Sequence, residues 1–204
     1  DAFRYRAWQK ELLPLGAATY AGIELACLDA CGKATGRSLC DLLGGAHHDD
    51  VEFAAYLFYR HAADHPTLLT DKRIIDRRGK GERALDDWGE VRTPEGMVRM
   101  AERFRKQWGF RVFKLKAGVL DPDVELETMR QMNSHFAGKC PLRIDPNAVW
   151  KTATAIRMGK KLRDLNLEYY EDPVRGHEAM AEVRKATTLP MSTNMVVTRF
   201  EHVR

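Results

Sequence analysis

Side chains that could bind a metal ion or move a proton recur at regular intervals in the second half of this 204-residue chain. They are two amines, two carboxylates and two amides, namely Lys114, Lys116, Asp145, Asn147, Glu171 and Asn194. Successive groups, counted from Lys116 to Asn194, are separated by 29, 26 and 23 residues. Each interval has the length of one strand plus one helix, so these side chains are expected at the ends of successive strands.

The oxygen atoms of this set predict a hard divalent cation such as Mg²⁺. Asp145 and Glu171 supply anionic oxygens and Asn194 a neutral one, whereas none of the seven histidines falls at these positions, which argues against zinc. A metal ion beside Lys114 and Lys116 suits proton abstraction next to a carboxylate, in which the metal stabilises the enediolate and one lysine takes the proton. The pKa of that lysine must fall from about 10.4 to roughly 7–8, and neighbouring cations favour this fall.

Each of these motifs also has an ordinary structural interpretation. A Lys-x-Lys pair is common on exposed strand edges, and Asp-Pro or Glu-Asp-Pro often marks a turn after a strand. Residues two apart in a strand point the same way, so Lys114 and Lys116 share one face. Recurrence at four successive strand ends favours the functional interpretation, because such ends are neighbours on one rim of a β/α barrel.

The elements that would position these side chains alternate between strands and helices. Aromatic and β-branched runs predict strands at 51–59, 111–116, 142–144, 167–170 and 191–193. Helices are predicted to begin at Thr93, Asp121 and Thr152, and a fourth is predicted over 177–187. This alternation predicts a parallel α/β sheet, and the lack of a glycine-rich dinucleotide motif favours a TIM-type barrel over an open nucleotide-binding sheet.

The first third of the chain is predicted to be helical. Apolar residues recur at helical spacing from Pro14 to Gly32, where the glycine is expected to end the helix, and Ser38 can cap a short second helix over 39–43. The polar and basic stretch over 60–92 is longer than an ordinary connection. We expect a solvated loop there, because no aromatic platform for nucleic acid accompanies the charges.

Composition excludes several classes of partner. With 33 Lys and Arg against 29 Asp and Glu, the net charge is +4, which is too small to indicate a nucleic-acid partner. The chain has no run of 18 apolar residues, so no membrane-spanning helix is predicted. The four cysteines lack the spacing of a zinc site and predict small buried side chains in a cytoplasmic protein.

Five short segments resemble the enolase superfamily in its mandelate-racemase-like branch, and within it most closely the glucarate dehydratases. They are YLFY (Tyr56–Tyr59), FKLKAGVL (Phe113–Leu120), IDPNAVW (Ile144–Trp150), EDPV (Glu171–Val174) and STNM (Ser192–Met195). The stretch GIELACLDACGKATGRSLCDLLGG, Gly22 to Gly45, is similar to the helices that precede the barrel in this family. The resemblance implies that residues 1–50 are the helical part of a capping domain and that residues 51–204 form the first five strands of an incomplete barrel.

The resemblance also implies a role for each polar residue and a reaction. Lys116 would be the general base, and Lys114 would polarise the substrate carboxylate and lower the pKa of Lys116. The Mg²⁺ ligands would be Asp145, Glu171 and Asn194, and the substrate contacts would be Lys114, Asn147 and Tyr56. The implied reaction is loss of water from a sugar diacid, D-glucarate, which gives 5-dehydro-4-deoxy-D-glucarate through α-proton abstraction and enediolate stabilisation.

The chain differs from this family in its extent. Family members carry a His–Asp pair on later strands that acts as the second acid/base, and it has no counterpart here. The first strands of the capping domain are also lacking, and the two edges of a five-stranded arc should seek a partner, so a homo-oligomer is expected. Three functions stay open: glucarate dehydration, another acid-sugar dehydration or epimerisation, and a non-catalytic relative that stabilises a partner.

Overall fold

The computed structural model describes residues 13–61, 89–197 and 202. Most of the predicted loop over 60–92 lies outside these described residues. Within them, no helix is both long enough and apolar enough to cross a membrane. The chain divides into two compact units, Asp1–Val51 and Glu52–Arg204.

The first unit contains helix α1 (Leu13–Thr35) and the short helix α2 (Leu39–Leu42). A reciprocal capping box between Ser38 and Asp41 begins α2, as the sequence predicts for Ser38. The prediction that Gly32 ends the first helix is wrong, because α1 continues to Thr35. A Cβ atom at Gly32 would lie 2.7 Å from the backbone oxygen of Arg37, so the glycine lets the following chain pass close to the helix.

The second unit is a partial β/α barrel, as predicted. Its five parallel strands lie side by side in chain order: β1 (Ala54–Phe58), β2 (Val112–Lys116), β3 (Leu142–Asp145), β4 (Leu167–Glu171) and β5 (Met191–Ser192). Among the described residues, one helix lies between each strand and the next: α3 (Pro94–Trp108), α4 (Pro122–His135), α5 (Thr152–Leu162) and α6 (His177–Thr187). The predicted order of elements is confirmed, and the first strand is shorter than the predicted 51–59.

The core forms where the helices cover one face of the sheet. Alternate strand residues such as Phe113, Leu115 and Ile144 are fully buried, and the Phe113 ring stacks on Phe136 with centroids 4.8 Å apart. The helices contribute further buried residues to this core: Met97, Met100, Ala101, Leu126, Met129, Met132, Ala155, Met158 and Leu162. Residues of opposite parity in the strands therefore point to the other face of the sheet, where the polar residues lie.

The cysteines divide into two groups. Cys140 is buried, whereas Cys27, Cys31 and Cys40 are exposed, and all four are free thiols. The prediction of burial is therefore wrong for the three N-terminal cysteines, which belong to α1 and α2, where most of the described side chains are exposed.

Candidate functional site

The carboxyl ends of neighbouring strands bring most of the predicted polar residues together. In the sheet register Tyr56 lies beside Lys114, and Lys116 lies beside Asp145. Glu171 is the last residue of β4 and pairs with Ser192 of β5. Parallel strands end at one edge, so a cluster of amines and carboxylates forms at a single rim.

One lysine joins the two carboxylates of the cluster. The Lys114 ammonium donates to Glu171 Oε2, lies 3.4 Å from Asp145 Oδ2 and donates to Tyr56 Oη over 3.3 Å. Lys114, Asp145 and Glu171 are 2%, 1% and 5% exposed, so this ionic group is shielded from water. Buried charges of this kind interact more strongly than charges on the surface.

The second lysine lies closer to solvent. The Lys116 ammonium contacts Asp145 Oδ2 and lies 3.4 Å from the Asn147 side-chain oxygen. The Tyr56 ring lies beside both ammonium groups, at 4.8 Å from Lys114 Nζ and 5.4 Å from Lys116 Nζ. The electron-rich face of this ring attracts ammonium groups at such distances.

The environment of Lys114 favours its charged form. Burial alone lowers the pKa of Lys114, but its hydrogen bonds to Glu171 and Tyr56 and the negative charges of Glu171 and Asp145 outweigh burial and raise the pKa above its ordinary value. Lys114 is therefore a fixed cation of the site.

The segment after β3 adopts a conformation that supports this arrangement. Asn147 and Ala148 both have positive φ, 51° and 60°. The backbone N–H of Asn147 donates to Asp145 Oδ1 over 2.9 Å, which orients that carboxylate. Such left-handed backbone is unfavourable for residues other than glycine and is often found at functional sites.

Asn194 is placed differently from the other predicted ligands. It follows β5 in the chain, and its backbone N–H donates to Asp172 Oδ2 over 3.0 Å. Its side chain is exposed and, among the residues that the structure describes, makes no hydrogen bond. The structure thus brings Tyr56, Lys114, Lys116, Asp145, Asn147 and Glu171 into one contact network, and the amide of Asn194 does not join it.

Two buried carboxylates of this rim were not predicted as site residues. Asp172 is completely buried and accepts hydrogen bonds from the segment after β5. Glu125 of α4 accepts the backbone N–H groups of Gly118, Val119 and Leu120, at 2.8, 2.9 and 2.9 Å, and so fixes the loop that follows Lys116. Burial raises the pKa of the Glu125 carboxyl despite these three donors.

A signal for Glu125 exists in the sequence, although it is weak. An acidic residue near a helix start usually complements the helix dipole, and Glu125 follows the capping residue Asp121 by four positions. Gly118, in the loop that Glu125 binds, marks this constrained loop more clearly than Glu125 does. Its φ is 78°, and a Cβ atom there would lie 2.3 Å from Val149 Cγ2 and 2.7 Å from the Pro146 oxygen.

The donor atoms at the rim fit a hard divalent cation. Asp145 and Glu171 present buried anionic oxygens to the same ammonium group, and oxygen is the ligand atom that Mg²⁺ prefers. No group of three His, Cys, Asp or Glu residues suited to a metal ion occurs among the described residues. Asn194, which follows the next strand, carries a neutral oxygen of the kind that Mg²⁺ also accepts.

The fold and the rim define a β/α-barrel protein with its polar site at the carboxyl ends of the strands. Residues 96–204 match the family described as enolase C-terminal domain-like, and this chain belongs to that family. The chain is 42% identical over 184 residues to a probable glucarate dehydratase of Streptomyces coelicolor. The matched region covers 90% of this chain and 39% of that protein. It is 29% identical over 117 residues to L-talarate/galactarate dehydratase of Salmonella typhimurium, covering 56% and 29% of the two chains.

Solved structures show the same relationship. An enolase from Pseudomonas fluorescens with bound magnesium, potassium and tartrate superposes with a TM-score of 0.75 at 41% identity, covering 89% of this chain and 39% of that chain. An enolase from Thermobispora bispora complexed with magnesium and formate gives a TM-score of 0.74 at 40% identity, covering 88% and 39%. This chain thus spans 39% of the length of each of these two proteins.

Proposed function

We propose that the protein to which this chain belongs is a Mg²⁺-dependent lyase that removes water from a sugar diacid, with D-glucarate as substrate and 5-dehydro-4-deoxy-D-glucarate as product. The observation that carries this proposal is the buried network of Lys114, Lys116, Asp145 and Glu171 at adjacent strand ends. The relatives named as acid-sugar dehydratases support the substrate class.

In this proposal the two lysines have different roles. The Lys116 side chain is 16% exposed and that of Lys114 is 3% exposed, so Lys116 is the more accessible of the two amines. Lys116 would take the α-proton at Nζ, and Lys114, a fixed cation, would orient the substrate carboxylate. Asn147 and Tyr56, which contact these amines, would border the bound substrate.

The metal site would use the carboxylates of Asp145 and Glu171 and the amide of Asn194. Bound Mg²⁺ would stabilise the negative charge that the substrate carboxylate gains as its α-proton leaves. The hydroxyl on the neighbouring carbon then departs with a proton and forms water. The family resemblance assigns the donation of that proton to a histidine on later strands of the barrel.

The test of this function is turnover by the full-length protein with Mg²⁺ and D-glucarate, followed as formation of an α-keto acid. We expect Lys116→Ala to lower kcat by about 10²–10⁴-fold, because a positioned general base typically contributes that factor. Lys160→Ala, an exposed lysine of α5, is the matched control and should leave kcat unchanged. Normal turnover by the Lys116 variant would disprove the assigned base.

Three alternatives predict different results when the full-length protein is assayed. Another acid-sugar dehydratase, as the talarate/galactarate relative suggests, would form keto acid from a different diacid in a substrate panel. An epimerase would incorporate solvent deuterium at the α-carbon without losing the hydroxyl. A non-catalytic relative would bind Mg²⁺ without turnover of any of these acids.

The proposal extends to the rest of the protein. Residues 1–50 would belong to the capping domain and residues 51–204 to the barrel, which further strands would complete. We propose a homo-oligomer in the cytoplasm, where four free thiols are maintained in the reduced form. Sedimentation of the full-length protein tests whether it is a homo-oligomer.

A further inference from the structure

Asp172 is a buried carboxylate that lies next to Glu171 in the chain but binds a different part of the rim. It is 0% exposed. Its Oδ1 accepts the Thr193 hydroxyl over 2.5 Å, and its Oδ2 accepts the backbone N–H groups of Asn194 and Met195 over 3.0 and 3.3 Å. All three side-chain bonds therefore go to the segment that follows β5.

The main chain of Asp172 makes two further hydrogen bonds. Its N–H donates to the Ser192 oxygen over 3.1 Å, and its carbonyl oxygen accepts the Ala148 N–H over 2.6 Å. Its φ of 35° lies in the left-handed region. The segments after β3, β4 and β5 thus meet at one residue whose backbone conformation is set by these contacts.

We propose that Asp172 is a positioning residue that fixes the Asn194 backbone so that the Asn194 amide can complete the metal site. This inference rests on the proposed Mg²⁺ site. Asn194 has an exposed side chain, and the hydrogen bond that holds it in place is the one from its own N–H to Asp172. Without that carboxylate, the donors at 193, 194 and 195 lose their shared acceptor and the ligand loses its fixed position.

The test measures Mg²⁺ affinity of the full-length protein by calorimetry, with the metal alone as the probe. Asp172→Asn retains the size of the side chain and tolerates a positive φ, but it replaces a carboxylate oxygen by an N–H₂ group that cannot accept. We expect the Mg²⁺ dissociation constant to rise by about 10–100-fold, as for other residues that orient metal ligands. Asp164→Asn, an exposed control with the same change of charge, should stay within about twofold of the wild type.

A double-mutant cycle with Asn194→Ala separates positioning from a general loss of negative charge. If Asp172 acts through Asn194, the Asp172→Asn change in the Asn194→Ala protein should alter the affinity by less than about threefold. If Asp172→Asn weakens Mg²⁺ binding by the same factor in the wild-type and the Asn194→Ala proteins, the proposal is overturned. An unchanged Mg²⁺ affinity in the single Asp172→Asn variant would also overturn it.

A charge-neutral variant keeps the proposal testable if Asp172→Asn does not fold. Thr193→Val removes one donor to Asp172, together with the hydroxyl that accepts the Val196 N–H, while preserving shape, and it should weaken Mg²⁺ binding by at least about threefold, the equivalent of a modest hydrogen bond. No change in affinity would overturn the proposed role. A wild-type protein that binds no Mg²⁺ overturns both this inference and the proposed function, whereas Mg²⁺ binding without turnover overturns the function and leaves the cycle to decide the role of Asp172.

Discussion

The Lys114 ammonium lies between two carboxylates in a place that water scarcely reaches. Asp145 and Glu171 are both almost fully buried, and each is within 4 Å of the same nitrogen atom. A buried group of paired charges stabilises a fold little more than apolar side chains of the same size would. Removing one of the partners is strongly destabilising, because a buried charge is left without its counter-ion. The arrangement therefore makes the folding of the rim dependent on residues that we propose for chemistry.

We expect Lys114→Met to lower the free energy of unfolding by about 3–5 kcal/mol in the presence of a metal chelator, because the buried Glu171 carboxylate loses the Lys114 cation, while Asp145 keeps its contact with Lys116. Methionine preserves an unbranched side chain, so the change tests charge more than packing. Urea denaturation of the 204-residue chain measures the effect. Lys151→Met, at an exposed position, is the control and should change the free energy by no more than about 0.5 kcal/mol. A loss below about 1 kcal/mol for Lys114→Met would contradict the prediction.

At the scale of elements, helices α5 and α6 approach each other through a glycine. A Cβ atom at Gly159 would lie 2.5 Å from Thr187 Cγ2 and 3.3 Å from Tyr170 Cε1. Thr187 cannot move aside easily, because it is fully buried and its hydroxyl donates to the Val183 oxygen. Glycine at this position therefore permits the close contact between the two helices.

We expect Gly159→Ala to destabilise the chain by about 1–3 kcal/mol, although alanine is the better helix former by about 1 kcal/mol. Gly22→Ala in α1 is the matched control, because a Cβ atom at Gly22 meets no other atom within 4 Å. That control should be neutral or slightly stabilising in the same thermal or urea denaturation. Equal effects of the two substitutions would show that packing at Gly159 has been misjudged.

The alternation of elements could be predicted from the sequence because each signal is local. Polar residues such as Lys116 and Asp145 mark the strand ends, and Thr93 and Asp121 each precede a proline at a helix start. The predicted convergence of the two amines and two carboxylates followed from that order alone. The length of α1 was not predictable in this way. Gly32 does not end the helix, but permits the backbone at Arg37 to lie close to it.

The supporting carboxylates could not be predicted for a different reason. Asp172 and Glu125 accept backbone N–H groups, which every residue except proline supplies, so no partner side chain marks them, and only its position near a helix start points weakly to Glu125. The exposed amide of Asn194 is a related case. Its place in the chain follows from the spacing, but the direction of its side chain depends on a loop held by tertiary contacts.

At the scale of the whole molecule, the sheet that the described residues form has two edge strands. β1 and β5 lie at opposite ends of the strand order, and β1 presents aromatic side chains to solvent, with Tyr56 46% and Phe58 49% exposed. Edge strands with exposed apolar groups readily pair with other chains. The relatives are longer than this chain, and further strands in the full-length protein would cover these edges.

We expect the 204-residue chain, when produced by itself, to self-associate at micromolar concentration, as measured by light scattering after size-exclusion chromatography. Phe58→Lys should reduce this association because it places a charge on the exposed face of β1. Val119→Lys, at a loop position that is 57% exposed, is the control and should have little effect. A monomeric wild-type chain over this concentration range would refute the prediction.

The three amides held by Glu125 have a consequence for the ligands that the rim can accept. Consecutive N–H groups in a turn commonly form a nest for a phosphate, but those of Gly118, Val119 and Leu120 are already saturated by a carboxylate from the protein itself. The N–H groups of these three residues, which follow Lys116 in the chain, are therefore not available to an incoming anion. An acidic ligand that lies against this loop would therefore be bound by side-chain cations such as Lys116 and not by these three amides.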